Sequence, residues 1–173
     1  VYGLVNFLLY LPGGFCADKF SARKLMVFSL ASTGLTGFYF ATFPPFPVIL
    51  ALHALWAVTT VFTFWSVCIR IIRELGDSKE QGRLFGYWYL GKGLTSMIVG
   101  FISVPLFANF GEGIEGLRAT IIFYSVVNLL TAVAAWFLVE DKQMEGEASS
   151  FHLKDIGIAF KIPGVWVAGV ATF

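Results

Sequence analysis

Gly14-Phe15-Cys16-Ala17-Asp18-Lys19-Phe20-Ser21-Ala22-Arg23-Lys24 is a short charged interruption between two apolar runs, Val1 to Ala17 and Leu25 to Phe43. A helix must be mostly apolar over about 20 residues to cross a bilayer, because its backbone groups can find no partners in hydrocarbon. The two runs are close to that length, so the charged stretch reads as a loop between two membrane-spanning helices. Its physics is legible locally. Asp18 suits a helix N-terminus, where it can accept N–H groups and meet the positive dipole end, while Arg23 and Lys24 suit the anionic headgroups of a cytoplasmic leaflet. Topogenic charge alone accounts for the Lys and Arg but not for Asp18, because acids contribute little to topology.

Working outward, further runs follow at Val48 to Ile69, Leu84 to Phe107 and Ala119 to Val139, and another begins near Val165. Pro44, Pro45 and Pro47 tighten the second connection, and Gly111, Gly113 and Gly116 loosen the fourth. Ten of the twelve Lys and Arg residues lie in the first, third and fifth loops, so those loops are read as cytoplasmic. Composition agrees. Of 173 residues 57% are hydrophobic and 13% charged, against roughly 45 to 50% apolar residues in soluble domains, which excludes an ordinary water-soluble globule. A net charge of +1 offers no basic surface for a phosphate backbone, which argues against nucleic-acid partners. Two cysteines build no disulfide framework, and Cys16 and Cys68 read as packing residues. The opening shows neither an initiating Met nor a signal-peptide pattern and reads as cropped.

The first loop resembles the signature G-x-x-x-D-[RK]-x-G-x-[RK]-[RK] of the major facilitator superfamily, through Gly14, Asp18, Lys19, Arg23 and Lys24. Ser21 stands where that family usually has glycine. A second segment, Glu80-Gln81-Gly82-Arg83-Leu84-Phe85-Gly86-Tyr87-Trp88, is similar to the E-x-G-R stretch that leads into the fifth helix of many members. Phe64-Trp65-Ser66 and Trp88 further resemble the organophosphate antiporter and hexuronate transporter branches. The resemblance implies an all-α polytopic transmembrane bundle, a partial major-facilitator fold whose first helix is missing. It also implies a conformational latch in which Arg70 is the partner of Asp18. Residues 1–139 would form an incomplete five-span N-terminal bundle, 140–162 a central cytoplasmic loop with an amphipathic stretch from Phe151 to Lys161, and 163–173 the start of a second bundle.

Candidate site residues follow from depth and periodicity. Gly86, Gly93 and Gly100 recur every seven residues, which predicts a stripe where another backbone packs closely. Tyr89, Lys92, Ser96 and Ser103 form a neighbouring polar stripe. Lys92 lies about 12 Å inside its span at 1.5 Å per residue. An ammonium at that depth costs about 2.5 to 3.5 kcal/mol, so water, an acid or an anionic ligand is expected beside it, with snorkelling of the stem as the bland alternative. By resemblance, the organophosphate branch carries an ionisable residue at the equivalent place. His53, Trp56, Thr60, Thr63 and Arg70 are expected to share a water-tolerant face, His53 serving either as a titrating ligand donor or as a helix-to-helix hydrogen-bonding group. Tyr2, Asn6 and Tyr10 step by four along the first span and suit a sugar or carboxylate, or equally a packing neighbour. Thr120, Tyr124, Asn128 and Thr131 are read as helix-to-helix hydrogen bonding.

No catalytic or metal-ligand motif is present, so the sequence predicts no enzyme, no cofactor and no metal. It predicts a secondary transporter, symporter or antiporter, in a bacterial inner membrane. Its partners would be the lipid bilayer, a small organic and anionic substrate such as a sugar acid or sugar phosphate, and a coupling proton, sodium or counter-anion. The substrate contacts would be Lys92, Tyr89, His53, Asn6 and Tyr10. A non-transporting scaffold or sensor of the same fold is the alternative.

Overall fold

Ser21 opens the first helix of the described chain: its hydroxyl accepts the Lys24 backbone N–H at 3.3 Å, satisfying one of the orphan donors of the first turn. The structure is a computed structural model and describes residues 20–140. Helix α1 spans Ala22–Phe40. A turn through Ala41, Thr42 and Phe43 follows, with Phe43 in the left-handed region at φ 53°, and Pro45 then precedes α2, Phe46–Ala57, whose first turn holds Pro47. That proline is tolerated because a first-turn N–H has no intrahelical partner to lose. The helix continues without a break through a π-helical segment, Val58–Trp65, into α3, Ser66–Glu74. Helix α4 runs Gln81–Asn109 with Pro105 inside it, and α5 runs Ile114–Leu138 after a turn in which Gly111 has φ 79°. No strand occurs among the described residues.

Among the described residues three helical stretches are long and apolar enough to cross a membrane: Phe46–Glu74, Gln81–Asn109 and Ile114–Leu138. Helix α1 is shorter and carries Ser29, Thr33 and Thr36, whose hydroxyls are satisfied against its own turns and the next helix. Ser29 Oγ donates to the Thr59 carbonyl, Thr33 Oγ1 lies 3.3 Å from Thr59 Oγ1, and Trp56 Nε1 donates to Thr36 Oγ1 at 2.8 Å. The expected spans from Leu25, Val48, Leu84 and Ala119 are all helical, with boundaries moved by the cap at Ser21 and by the extension of α3 to Glu74. The run from Val1 to Ala17, the loop 141–162 and the final run lie outside the described residues. The chain divides into two compact units, Val1–Gln143 and Met144–Phe173, of which the second lies outside the described residues.

Helix α1 packs most extensively against α5, antiparallel to it. Small residues let the backbones approach, as expected where dispersion and close packing drive helix association. A Cβ added at Gly37 would lie 2.2 Å from Ser125 Oγ, and one at Gly34 would lie 2.9 Å from the Leu129 side chain. Leu30, Ala132 and Ala135 close the core on the other side of this contact. Added Cβ atoms at Gly86, Gly93 and Gly100 meet nothing within 4 Å among the described residues, so no described helix occupies the stripe expected there. The close backbone approach that the described residues do contain is at Gly34 and Gly37.

The water-tolerant face expected on the third span is corrected. Thr63 and Arg70 are buried, Trp56 bonds to α1, and Thr60 Oγ1 and Thr63 Oγ1 donate back to the carbonyls of Trp56 and Thr59, each at 2.5 Å. The π segment adds its own change of winding between His53 and Arg70, which 17 residues at 100° each already set about 100° apart.

Candidate functional site

Trp88 and Tyr89 stand four and three residues before Lys92 on α4, so all three side chains fall on one helix surface. The last residue of the π segment, Trp65, reaches the same place from the neighbouring span. The Lys92 ammonium lies 4.9 Å from the centroid of Trp65 and 6.0 Å from those of Trp88 and Tyr89. The rings support one another, with Trp65 and Trp88 centroids 5.1 Å apart and Trp88 and Tyr89 4.9 Å apart. Each ring presents its negative quadrupole to the charge, an attraction of about 0.5 to 1 kcal/mol where exposed and about 2 kcal/mol or more where desolvated. No described carboxylate pairs with Lys92. Counted from Leu84, the first apolar residue after Arg83, Lys92 sits about 12 Å along α4 at 1.5 Å per residue, well inside a segment long enough to cross a hydrocarbon core about 30 Å thick. The result is a fixed cation with an open side, aromatic walls and no internal counter-ion among the described residues.

The other predicted site residues are placed as follows. His53 Nδ1–H donates to the Ile49 carbonyl at 2.8 Å, and its ring packs on Phe40 and Trp56. It lies twelve residues before Trp65, some 18 Å along the helix axis, and touches none of the groups around Lys92. Asn6 and Tyr10 are outside the described residues, as are Gly14, Asp18 and Lys19 of the first loop. Arg70 is buried at 7% exposure; its Nε donates to Glu74 at 2.7 Å and its Nη1 to the Phe20 carbonyl at 3.2 Å. One guanidinium thereby ties the end of the first loop to α3. Lys24 is exposed. Arg23, expected at the headgroups, instead donates its Nε to the Val139 carbonyl at 2.6 Å and lies over the Trp136 ring at 5.9 Å. The closing carbonyls of α5 are the stronger attraction, because they are partly buried and carry the negative end of the helix dipole.

In the third loop Glu80 and Arg83 pair at 2.7 Å on an exposed surface, and Gly82 has open space around it. An exposed pair of this kind contributes about 0 to 1 kcal/mol. The residue between them does more. Gln81 Nε2 donates to the carbonyls of Arg73 and Gly76, at 3.1 and 2.7 Å, and so closes the end of α3 onto the start of α4. Neither Gln81 nor Trp65 stood among the expected site residues. Trp65 carried a signal, a large aromatic within a threonine-rich stretch one helix before a lysine set in an apolar run. Gln81 carried none, since an amide in a polar loop has no pattern of its own. Cys68, read as a packing residue, is buried and forms no disulfide.

The sequence profile of the Major Facilitator Superfamily matches residues 1–173, the whole length given. The chain belongs to that superfamily. It is 34% identical over 178 residues to the inner membrane protein YqcE of Escherichia coli (strain K12), covering 99% of this chain and 42% of that protein. It is 38% identical over 138 residues to the inner membrane protein YihN of the same organism, covering 80% of this chain and 32% of that protein. An MG294 homolog from Mycoplasma pneumoniae (strain ATCC 29342 / M129 / Subtype 1) is 28% identical over 180 residues, covering 89% and 36%. The chain thus spans less than half the length of these relatives. No solved structure matches. A superfamily helix bundle with inner-membrane relatives and three membrane-length helices is an integral protein of a bacterial inner membrane. Major facilitator proteins are generally not enzymes.

Proposed function

We propose that the chain is part of a secondary active transporter for a small organic anion, a sugar acid, sugar phosphate or related solute, working by alternating access. The observation that carries this reading is the Lys92 ammonium on a membrane-length helix, walled by Trp65, Trp88 and Tyr89 and matched by no described acid. Such a charge is costly in hydrocarbon and is offset when an anion arrives. The aromatic faces suit the flat, weakly polar C–H face of a sugar ring, and the tyrosine hydroxyl suits its hydroxyl groups. Two bundles rocking about a midplane site would expose that anion to either side in turn, with the loop held by Arg70 and Arg23 stabilising one of the two states.

The test is uptake of radiolabelled glucuronate and of a hexose phosphate by the intact protein in proteoliposomes. Lys92→Gln is expected to abolish uptake with unchanged membrane yield and thermal stability. Equal loss of folding would make Lys92 structural. Ligand-dependent stabilisation with no uptake by the parent protein would favour a sensor over a transporter. Imposing proton, sodium or counter-anion gradients one at a time identifies the coupling ion.

A further inference from the structure

The π segment Val58–Trp65 lies between α2, anchored to α1, and α3, which carries Cys68 and Arg70. A full eight-residue π stretch is rare, because its hydrogen bonds run to the fifth residue and leave the chain wider than an α-helix. Side-chain hydroxyls gather on the two carbonyls at its head. The Trp56 carbonyl accepts Thr60 Oγ1 at 2.5 Å and Thr59 Oγ1 at 3.3 Å. The Thr59 carbonyl accepts Thr63 Oγ1 at 2.5 Å and Ser29 Oγ from α1. At the other end Ser66 Oγ bonds to the Val61 carbonyl, five residues back, at 3.3 Å. Carbonyls in this stretch exchange backbone partners when a π turn becomes an α turn. The hydroxyls keep those acceptors satisfied in either state, which lowers the cost of the exchange in a medium without water.

We propose that this segment is a conformational register switch, in which π-to-α conversion turns α3 relative to α2 and so couples the Lys92 site to the loop held by Arg70; the coupling of site to loop rests on the transport reading above. The upstream half is fixed, since Trp56 bonds to Thr36 and packs with His53 on Phe40. The downstream half therefore does the turning. One residue of register is about 100° of rotation and 1.5 Å of rise. That movement takes Trp65 off the Lys92 ammonium and takes Arg70 Nη1 off the Phe20 carbonyl in the same step. An anion that draws Lys92 away from Trp65, or packs against both, biases the register, and the loop reports it. The element is two-state and both ends bias it, which is the physical requirement for coupling.

Cys68 is the native reporter, being on α3 and buried at 7% exposure in the π register. The experiment measures N-ethylmaleimide alkylation of Cys68 by mass spectrometry in membranes containing the intact protein with Cys16→Ser. Deleting Thr60 removes the extra residue and leaves a continuous α-helix whose two ends keep their present relation, so the exchange disappears. Alkylation is then expected to slow by at least about tenfold, with the melting temperature retained. Equal rates in parent and deletion variant overturn the switch. Should the deletion variant fail to fold, Ser29→Ala combined with Thr63→Val removes the hydroxyls on the Thr59 carbonyl, and alkylation is expected to change by about fivefold or more. An unchanged rate there overturns the proposal equally. No substrate is needed, so the two readings separate: a rate altered in the variant, beside a parent protein that takes up no solute, sinks transport alone, and an unaltered rate in the variant, beside a parent that does take up solute, sinks the switch alone.

Discussion

Arg23 and Arg118 hold each other's helices. Arg23, in the first turn of α1, donates its Nε to the Val139 carbonyl that closes α5 at 2.6 Å, and Arg118, in the first turns of α5, donates its Nε to the Ala41 carbonyl that closes α1 at 3.1 Å. Arg118 also pairs with Glu115 and lies over the Phe43 ring at 5.6 Å. Two antiparallel helices are in this way tied at both ends by a cation on a carbonyl terminus, the arrangement that the helix dipole favours.

Because the two ties are separated by the length of α1, about 28 Å, their contributions should be independent. Arg23→Ala and Arg118→Ala are each expected to cost about 1 kcal/mol, and the double variant about their sum. Chemical denaturation in detergent micelles checks this, and a double variant no worse than one single variant would contradict it.

Trp65 and Lys92 should show energetic coupling in substrate handling. Trp65→Leu is expected to weaken apparent affinity by about fivefold to thirtyfold, on the scale of a desolvated cation–π contact. In the Lys92→Gln background the same change should have a much smaller effect on residual ligand binding. A double-mutant cycle on ligand-induced thermal stabilisation measures the difference, and strict additivity would detach the tryptophan from the ammonium.

Gly37 and Gly93 should respond in opposite ways. Gly37→Ala places a methyl group 2.2 Å from Ser125 Oγ and is expected to cost about 1 to 3 kcal/mol as the α1–α5 contact opens. Gly93→Ala meets open space among the described residues and should be neutral or slightly stabilising, since alanine is the better helix former. Melting temperatures of the two variants in the same micelle are the check.

Ser21→Ala removes the side-chain acceptor of the Lys24 N–H and is expected to cost about 1 kcal/mol, whereas Ser21→Gly should cost only a few tenths. The contrast explains how a residue other than the glycine usual in the family is accommodated here. Stability of the pair, compared directly, decides it.

Hydropathy and loop charge made the helical spans and the membrane legible from the sequence, because each depends on averages over many residues, while the family was legible through the resemblance of the Gly14–Lys24 and Glu80–Trp88 motifs. Lys92 was legible for a related reason: a charge deep in an apolar run is expensive wherever the helix is placed. The partners of particular side chains were less so. Arg23 carries no sequence sign that Val139 lies beside it, and nothing in the spacing of Gly34 and Gly37 marks them as the place where α1 and α5 meet. The π segment has no hydrophobic signature, since Val58 to Trp65 reads as ordinary apolar and threonine-rich sequence.

The length of α4 has a mechanical consequence. Twenty-nine residues rise about 44 Å, roughly 14 Å more than the hydrocarbon they cross. Such a rod must lean, or project its Glu80–Arg83 end into the aqueous phase. Leaning is a lever: a few degrees of change in its pitch would sweep the aqueous tip sideways by several ångströms while hardly displacing the lysine near its midpoint.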